Sequence, residues 1–193
     1  MEKGLLRRFG GLPALVLAGC PPVLATPPPM PQTVADCRSP VYASDTLVCT
    51  DEGLRRHDAE LAALLPVRGG PPLAIEPQED WFRRSRMCAM RADHRACLAA
   101  AHAERIAVLR AARTFDAATA PWRASRCTPD AAELAELPGG IVAVRRRGVV
   151  SLALTGVDAA VWTPYVHIEP LGAQRKVRWL DGSAIRCRIV ARR

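Results

Sequence analysis

The residues with the widest chemical repertoire in this chain are its seven cysteines, at positions 20, 37, 49, 88, 97, 127 and 187. A thiol can carry a lipid, pair into a disulfide, hold a metal or act as a nucleophile. Cys20 closes the run Leu17-Ala18-Gly19-Cys20, where small side chains suit a signal-peptidase cleft and the thiol can accept a diacylglycerol. Without Cys20 six cysteines remain, Cys37, Cys49, Cys88, Cys97, Cys127 and Cys187, an even number that can pair completely in an oxidising compartment. Their connectivity stays open. Cys88, His94, Cys97 and His102 are residue types that suit zinc, but their spacing matches no common site, so neither metal nor cofactor is expected. Cys97 with His102 would be a nucleophile pair only if the thiol were free. His57 beside Asp58 reads as a helix-surface pair rather than a general base. With no phosphate loop, zinc-protease helix or Gly-x-Ser-x-Gly elbow, an enzyme is not expected.

The N-terminus frames that thiol chemistry. Met1 to Gly11 carries Lys3, Arg7 and Arg8, and Leu12 to Gly19 is apolar and uncharged. Residues 1–20 therefore read as a lipoprotein-type signal, resembling the bacterial lipobox, with Cys20 as the membrane-anchored first residue. The competing reading is ordinary secretion with cleavage after Val23-Leu24-Ala25. Residues 21–35 form a Pro-rich linker that would hold a domain off the membrane. The chain has 193 residues and a formal charge of +8, with 24 % charged and 49 % apolar residues, an ordinary globular composition. No run of about 18 apolar residues occurs, which excludes a multi-span membrane protein. An exported protein of the periplasm or cell envelope is expected.

Two regions must position these groups. In residues 36–116, Thr50 is a plausible N-cap, with Asp51 and Glu52 in the first turn of a helix whose apolar stripe is Leu54, Leu61 and Leu65. Pro66 to Pro77 interrupts it. A second helical stretch starts near Pro77 and carries Trp81 and Cys88 on one face. It continues from Cys97 through Leu98, Ala101, Ile106 and Leu109, with a break near Asp93-His94. Residues 121–193 carry short β-rich runs at 141–144, 149–154, 161–168, 176–180 and 184–190, with turn candidates at Arg147-Gly148 and Asp181-Gly182. A three-residue loop, Asp181-Gly182-Ser183, pairs Trp179 with Ile185 and Val177 with Cys187. It points Val177, Trp179, Ile185, Cys187 and Ile189 inward and Lys176, Arg178, Arg186 and Arg188 outward. Cys127 could then meet Cys187. The expected class is α+β: a disulfide-bridged N-terminal helical hairpin or three-helix unit over 36–116, followed by a small antiparallel β domain over 121–193.

Asp36-Cys37, Asp45-x-x-Val48-Cys49, Leu54-x-x-x-Asp58-x-x-Leu61, Gln78-x-x-Trp81-x-x-x-x-Arg86-x-Cys88, Cys97-Leu98 and Glu104-Arg105-Ile106 follow one another in order. This series, over about residues 36–110, resembles the LprI-type lysozyme-inhibitor domain. Asp45 stands where that family usually has Glu, and His102 where Tyr is common. The β region, with a Cys near each end, distantly resembles the MliC-type lysozyme inhibitors. The resemblance implies a lysozyme partner. Because c-type lysozymes are basic, complementary charge selects Asp45, Asp51, Glu52, Asp58 and Glu60 as the contact face. The alternative is a non-catalytic envelope structural or peptidoglycan-contacting protein. In that reading the outward basic stripe and Arg145-Arg146-Arg147 meet an anionic cell-wall polymer, and no nucleic acid is expected as a partner.

Overall fold

The computed structural model describes residues 32–65 and 73–189; the expected signal, the expected lipidation site Cys20 and residues 21–31 of the expected linker lie outside them. Four helices come first: α1 Ala43–Thr50, α2 Glu52–Leu64, α3 Gln78–Ser85 and α4 His94–Thr114, with a 3-10 turn over Arg86–Met90 between the last two. Thr50 ends α1 instead of capping α2; its hydroxyl bonds back to the Thr46 carbonyl at 2.9 Å. The N-cap of α2 is Asp51, which is extended (φ −94°, ψ 117°) and accepts the Leu54 N–H at 2.9 Å. Asp93 caps α4 in the same way through Ala96 N–H. The α2 stripe is Leu54, Leu61 and Leu64, since Leu65 is the C-cap. These leucines share one apolar core with Trp81, Phe82, Cys88, Cys97, Leu98, Ala101 and Leu109, so α2, α3 and α4 bury their faces against each other. Disulfides join Cys37 to Cys49 and Cys88 to Cys97.

Eight strands form one sheet in the order β1-β5-β4-β3-β2-β8-β7-β6. They are β1 Leu73–Ala74, β2 Arg123–Thr128, β3 Ala132–Leu137, β4 Ile141–Arg146, β5 Val149–Leu154, β6 Val166–Leu171, β7 Gln174–Trp179 and β8 Ala184–Ile189. The strands of residues 121–193 pair antiparallel throughout, and the sheet as a whole is mixed because β1, from outside that region, runs parallel to β5, pairing Leu73 with Val150. The sheet curls so that Ala153 of β5 packs with Val166 and Ile168 of β6 in one interior, along with Leu134, Val142, Val144, Val177, Ile185 and Cys187. The alternate residues of β3, β4 and β5 (Ala135, Ile141, Ala143, Val150, Leu152) face outward and are covered by Val108 of α4. Ala135 and Ala143 are directly opposed and fully buried, so small side chains mark where the helix lies on the sheet.

Arg147 (φ 52°) and Gly148 (φ 79°) make the two-residue β4–β5 turn, both in the left-handed region that a tight hairpin with native twist requires. At the last hairpin the loop is Leu180-Asp181-Gly182, one residue earlier than expected. Trp179 N–H donates to the Ser183 carbonyl at 2.9 Å, and Val177 pairs with Ile185. The register thus moves by two residues. Because side chains alternate with period two, the facing survives: Val177, Ile185 and Cys187 are buried, Trp179 is half-buried, and Arg178, Arg186 and Arg188 are exposed. Cys127 and Cys187 are directly opposed on β2 and β8 and form the third disulfide. The run 161–168 is strand only from Val166; Trp162 instead inserts into the helical core.

Candidate functional site

Charged residues are buried where the helices meet the sheet. Glu76 precedes α3, and its carboxylate takes a two-point contact from Arg84, with Nε to Oε1 at 2.9 Å and Nη2 to Oε2 at 2.7 Å. The same guanidinium lies 4.2 Å above the Trp162 ring and donates to the Thr163 carbonyl, tying the β5–β6 loop to α3. Arg105 of α4 donates through Nη2 to the Glu76 carbonyl at 2.8 Å and through Nε to Gln78 Oε1 at 3.0 Å. Gln78 Nε2 donates to the Thr33 carbonyl at 2.8 Å. Glu104 is buried beside this group. Burial pushes its carboxyl up to about 7, Glu76 adds to the rise, and Arg84, Arg105 and the Trp162 indole oppose it. A cleft of about 470 Å³ opens next to the network, lined by Glu76, Asp80, Arg84, Met87, Tyr165 and Leu180.

The five acidic residues selected from sequence are dispersed among internal partners. Asp45 is 1 % exposed and accepts from Gln32 Nε2 at 3.1 Å. Asp51 caps α2 and pairs with Arg95 at 2.6 Å; the Arg95 hydrogen bond, then the Leu54 N–H, hold its carboxyl below the usual range. Asp58 faces His102 Nε2 at 3.6 Å and receives the Ala35 N–H at 3.5 Å. Glu60 pairs with Arg110. Glu52 alone of the five is largely exposed, with a side chain 72 % accessible and Arg56 one turn on as its partner at 2.6 Å.

The cysteine and histidine candidates separate in the same manner. Cys88 and Cys97 are bonded to each other, so neither thiolate is free for zinc or nucleophilic attack. His94 Nε2 lies 3.2 Å from Ser44 Oγ, which also donates to the Arg86 carbonyl and fastens the start of α1 to the 3-10 turn. His102 is buried, with Nδ1 2.9 Å from the Leu98 carbonyl and its ring edge-on to Trp81. Around the 3-10 turn, Val41, Tyr42, Met87 and Met90 are exposed, and Arg86 stacks on Tyr42 at 3.6 Å.

The basic residues of the sheet fall into two sets. Arg145, Arg146 and Arg147 are neutralised: Arg145 by Glu133 at 2.5 Å, and Arg146 and Arg147 by Asp130, whose carboxyl they hold well down. On the outer face of β2, β8 and β7, Arg126 opposes Arg188 and Lys176 opposes Arg186. Neither β2 nor Arg126 is legible from residue pattern alone, although Cys127 pointing inward at Cys187 obliges its neighbours to point out. No family model, no curated protein and no solved structure matches the chain.

Proposed function

We propose that this chain is an exported, lipid-anchored envelope protein whose disulfide-bridged region of four helices, in place of the expected hairpin or three-helix unit, is of the LprI type and binds and inhibits lysozyme. Export is supported by the three disulfides, which point to an oxidising compartment. The observation carrying the lysozyme reading is that the residues of the resemblance meet each other in space. Gln78 bonds Arg105, Asp58 faces the His102 position, Trp81 is fully buried beside the Leu54–Leu61 stripe, and the four cysteines close two short loops. Such a unit presents a preorganised surface able to cover a substrate cleft between two catalytic carboxylates at low entropic cost.

Within this reading the acidic residues divide by task. Asp45, Asp51 and Asp58 build the scaffold, and Glu52 is the charge available to a basic partner. The exposed Tyr42, Met87 and Met90 around Arg86 supply the apolar part of the contact, since aromatic, Met and Arg side chains dominate interface energetics. Turbidity assays of cell-wall lysis by c-type, g-type and i-type lysozymes test this, with the protein oxidised and then reduced. Inhibition by the oxidised form alone is the expected result. Unimpeded lysis by all three classes at large protein excess would overturn the reading.

A further inference from the structure

The outer face of β2, β8 and β7 carries five cations in a staircase. Arg126 lies opposite Arg188, Arg188 is two residues from Arg186, Arg186 is opposite Lys176, and Lys176 is two residues from Arg178. Steps across strands are about 5 Å and steps along a strand about 7 Å. Like charges placed directly opposite each other destabilise a sheet. Yet the side chains of Arg126, Arg186 and Arg188 have no hydrogen-bond or ion-pair partner among the described residues, whereas those of Arg145, Arg146 and Arg147, at the end of β4 and in its turn, are all paired. Glu169 of β6, 3.9 Å from Lys176 and 3.5 Å from Arg178, borders the staircase on one side. A flat bilayer would press its phosphates against that carboxylate. A chain following the steps would pass beside it.

We propose that this staircase, Arg126–Arg188–Arg186–Lys176–Arg178, binds a linear polyol-phosphate chain of the cell envelope. The charge pitch selects the polymer. Six backbone bonds separate successive phosphates in a three-carbon polyol phosphate, an extended repeat of about 7 Å, twice the ~3.5 Å of a three-bond peptide repeat. The extended repeat matches the two along-strand steps, and the shorter cross-strand steps are met where the repeat is partly coiled. The carboxylates of a wall glycopeptide hang from side stems and keep no such fixed pitch. Arginine forks donate two N–H bonds to one phosphate, and Thr128 and Gln174, at the staircase corners on the same face, offer neutral hydrogen bonds. The inference rests on export alone and is independent of lysozyme binding.

The test uses the full-length oxidised protein with lipid-free poly(glycerol phosphate) as probe, at low and at high salt. Insoluble peptidoglycan and vesicles of phosphatidylglycerol and phosphatidylcholine in a one-to-three ratio serve as separate arms. The expected result is salt-sensitive polymer binding that falls by more than about tenfold in R126Q/R186Q/R188Q, because each lost hydrogen bond is to a charged group. That variant should melt no lower than wild type, since the opposed charges have been relieved. A second variant, Glu169→Gln, leaves every cation in place and should bind the polymer more tightly. Absence of polymer binding, or binding unchanged by both variants, overturns the proposal. Arginine-dependent binding confined to vesicles or to peptidoglycan overturns it as well.

Discussion

Gln78 and Arg105, 27 positions apart, share a hydrogen bond of 3.0 Å that links the first turn of α3 to the middle of α4. Gln78 spends its amide on the Thr33 carbonyl and Arg105 its Nη2 on the Glu76 carbonyl, so the pair also holds the chain leading into α1 and the segment before α3. Three separate pieces of chain converge on two side chains. Gln78→Ala leaves the part-buried Arg105 Nε without its acceptor, and a loss of about 1–3 kcal/mol in urea unfolding is expected. Gln78→Glu, which keeps the acceptor, should lose less.

Glu104 makes stability pH-dependent with a definite sign. Its carboxyl titrates near 4.5 in the unfolded chain and at about 7 when folded, so folding favours the protonated form. The stability it contributes is complete below pH 4.5 and is lost as the pH rises through 7. Glu104→Gln removes the titration; between pH 4.5 and 7 its unfolding free energy should fall less than that of wild type. Above pH 7 the variant should be more stable by up to about 3 kcal/mol. Asp51 and Asp130, whose carboxyls are held down by Arg95 and by Arg146 with Arg147, act in the opposite sense, losing their contribution as the pH falls below 3.8. The Glu104 substitution leaves that acid limb unchanged.

The three disulfides should differ in weight. Cys127–Cys187 spans 60 positions, against 12 for Cys37–Cys49 and 9 for Cys88–Cys97. In the chain-entropy account the long loop contributes about 4 kcal/mol and each short one about 3 kcal/mol. Chemical denaturation of the three double Cys→Ser variants, each compared with wild type, checks the order. Equal losses would show that local packing outweighs loop length.

Glu52→Lys separates contact from scaffold. Glu52 and its partner Arg56 are both more than two-thirds exposed, so the reversal should leave the melting temperature within a degree or two of wild type. Inhibition of a c-type lysozyme should weaken by roughly tenfold, chiefly through a slower association rate that high salt equalises. Unchanged inhibition kinetics would remove Glu52 from the contact.

Local signals made part of this molecule legible. The leucine stripe of α2, the Arg147-Gly148 turn and the inward facing of Val177, Ile185 and Cys187 all follow from periods of 3.6 and 2 and from turn chemistry. The last hairpin slipped because Asp181-Gly182 places Gly182 (φ 85°) at the end of the loop, and the Leu180 N–H is taken by the Tyr165 carbonyl. β3 is Ala-Glu-Leu-Ala-Glu-Leu, a run of good helix formers that becomes a central strand because β2 and β4 flank it and Leu134 and Ala135 are buried on its two faces. The acidic set misled for a similar reason. Asp51 finds Arg95 and Glu60 finds Arg110 on a helix far along the chain, so a stretch that reads as acidic is locally neutralised once folded.

The placement of Cys127 against Cys187 has one more consequence. Those cysteines close a ring of chain that contains five of the eight strands whole, β3 to β7, and is joined covalently between the sheet's neighbours β2 and β8. A protease reaching the exposed Asp158–Ala160 segment would open that ring without releasing a fragment. The nicked protein would migrate as one species on a non-reducing gel and separate into two only after reduction.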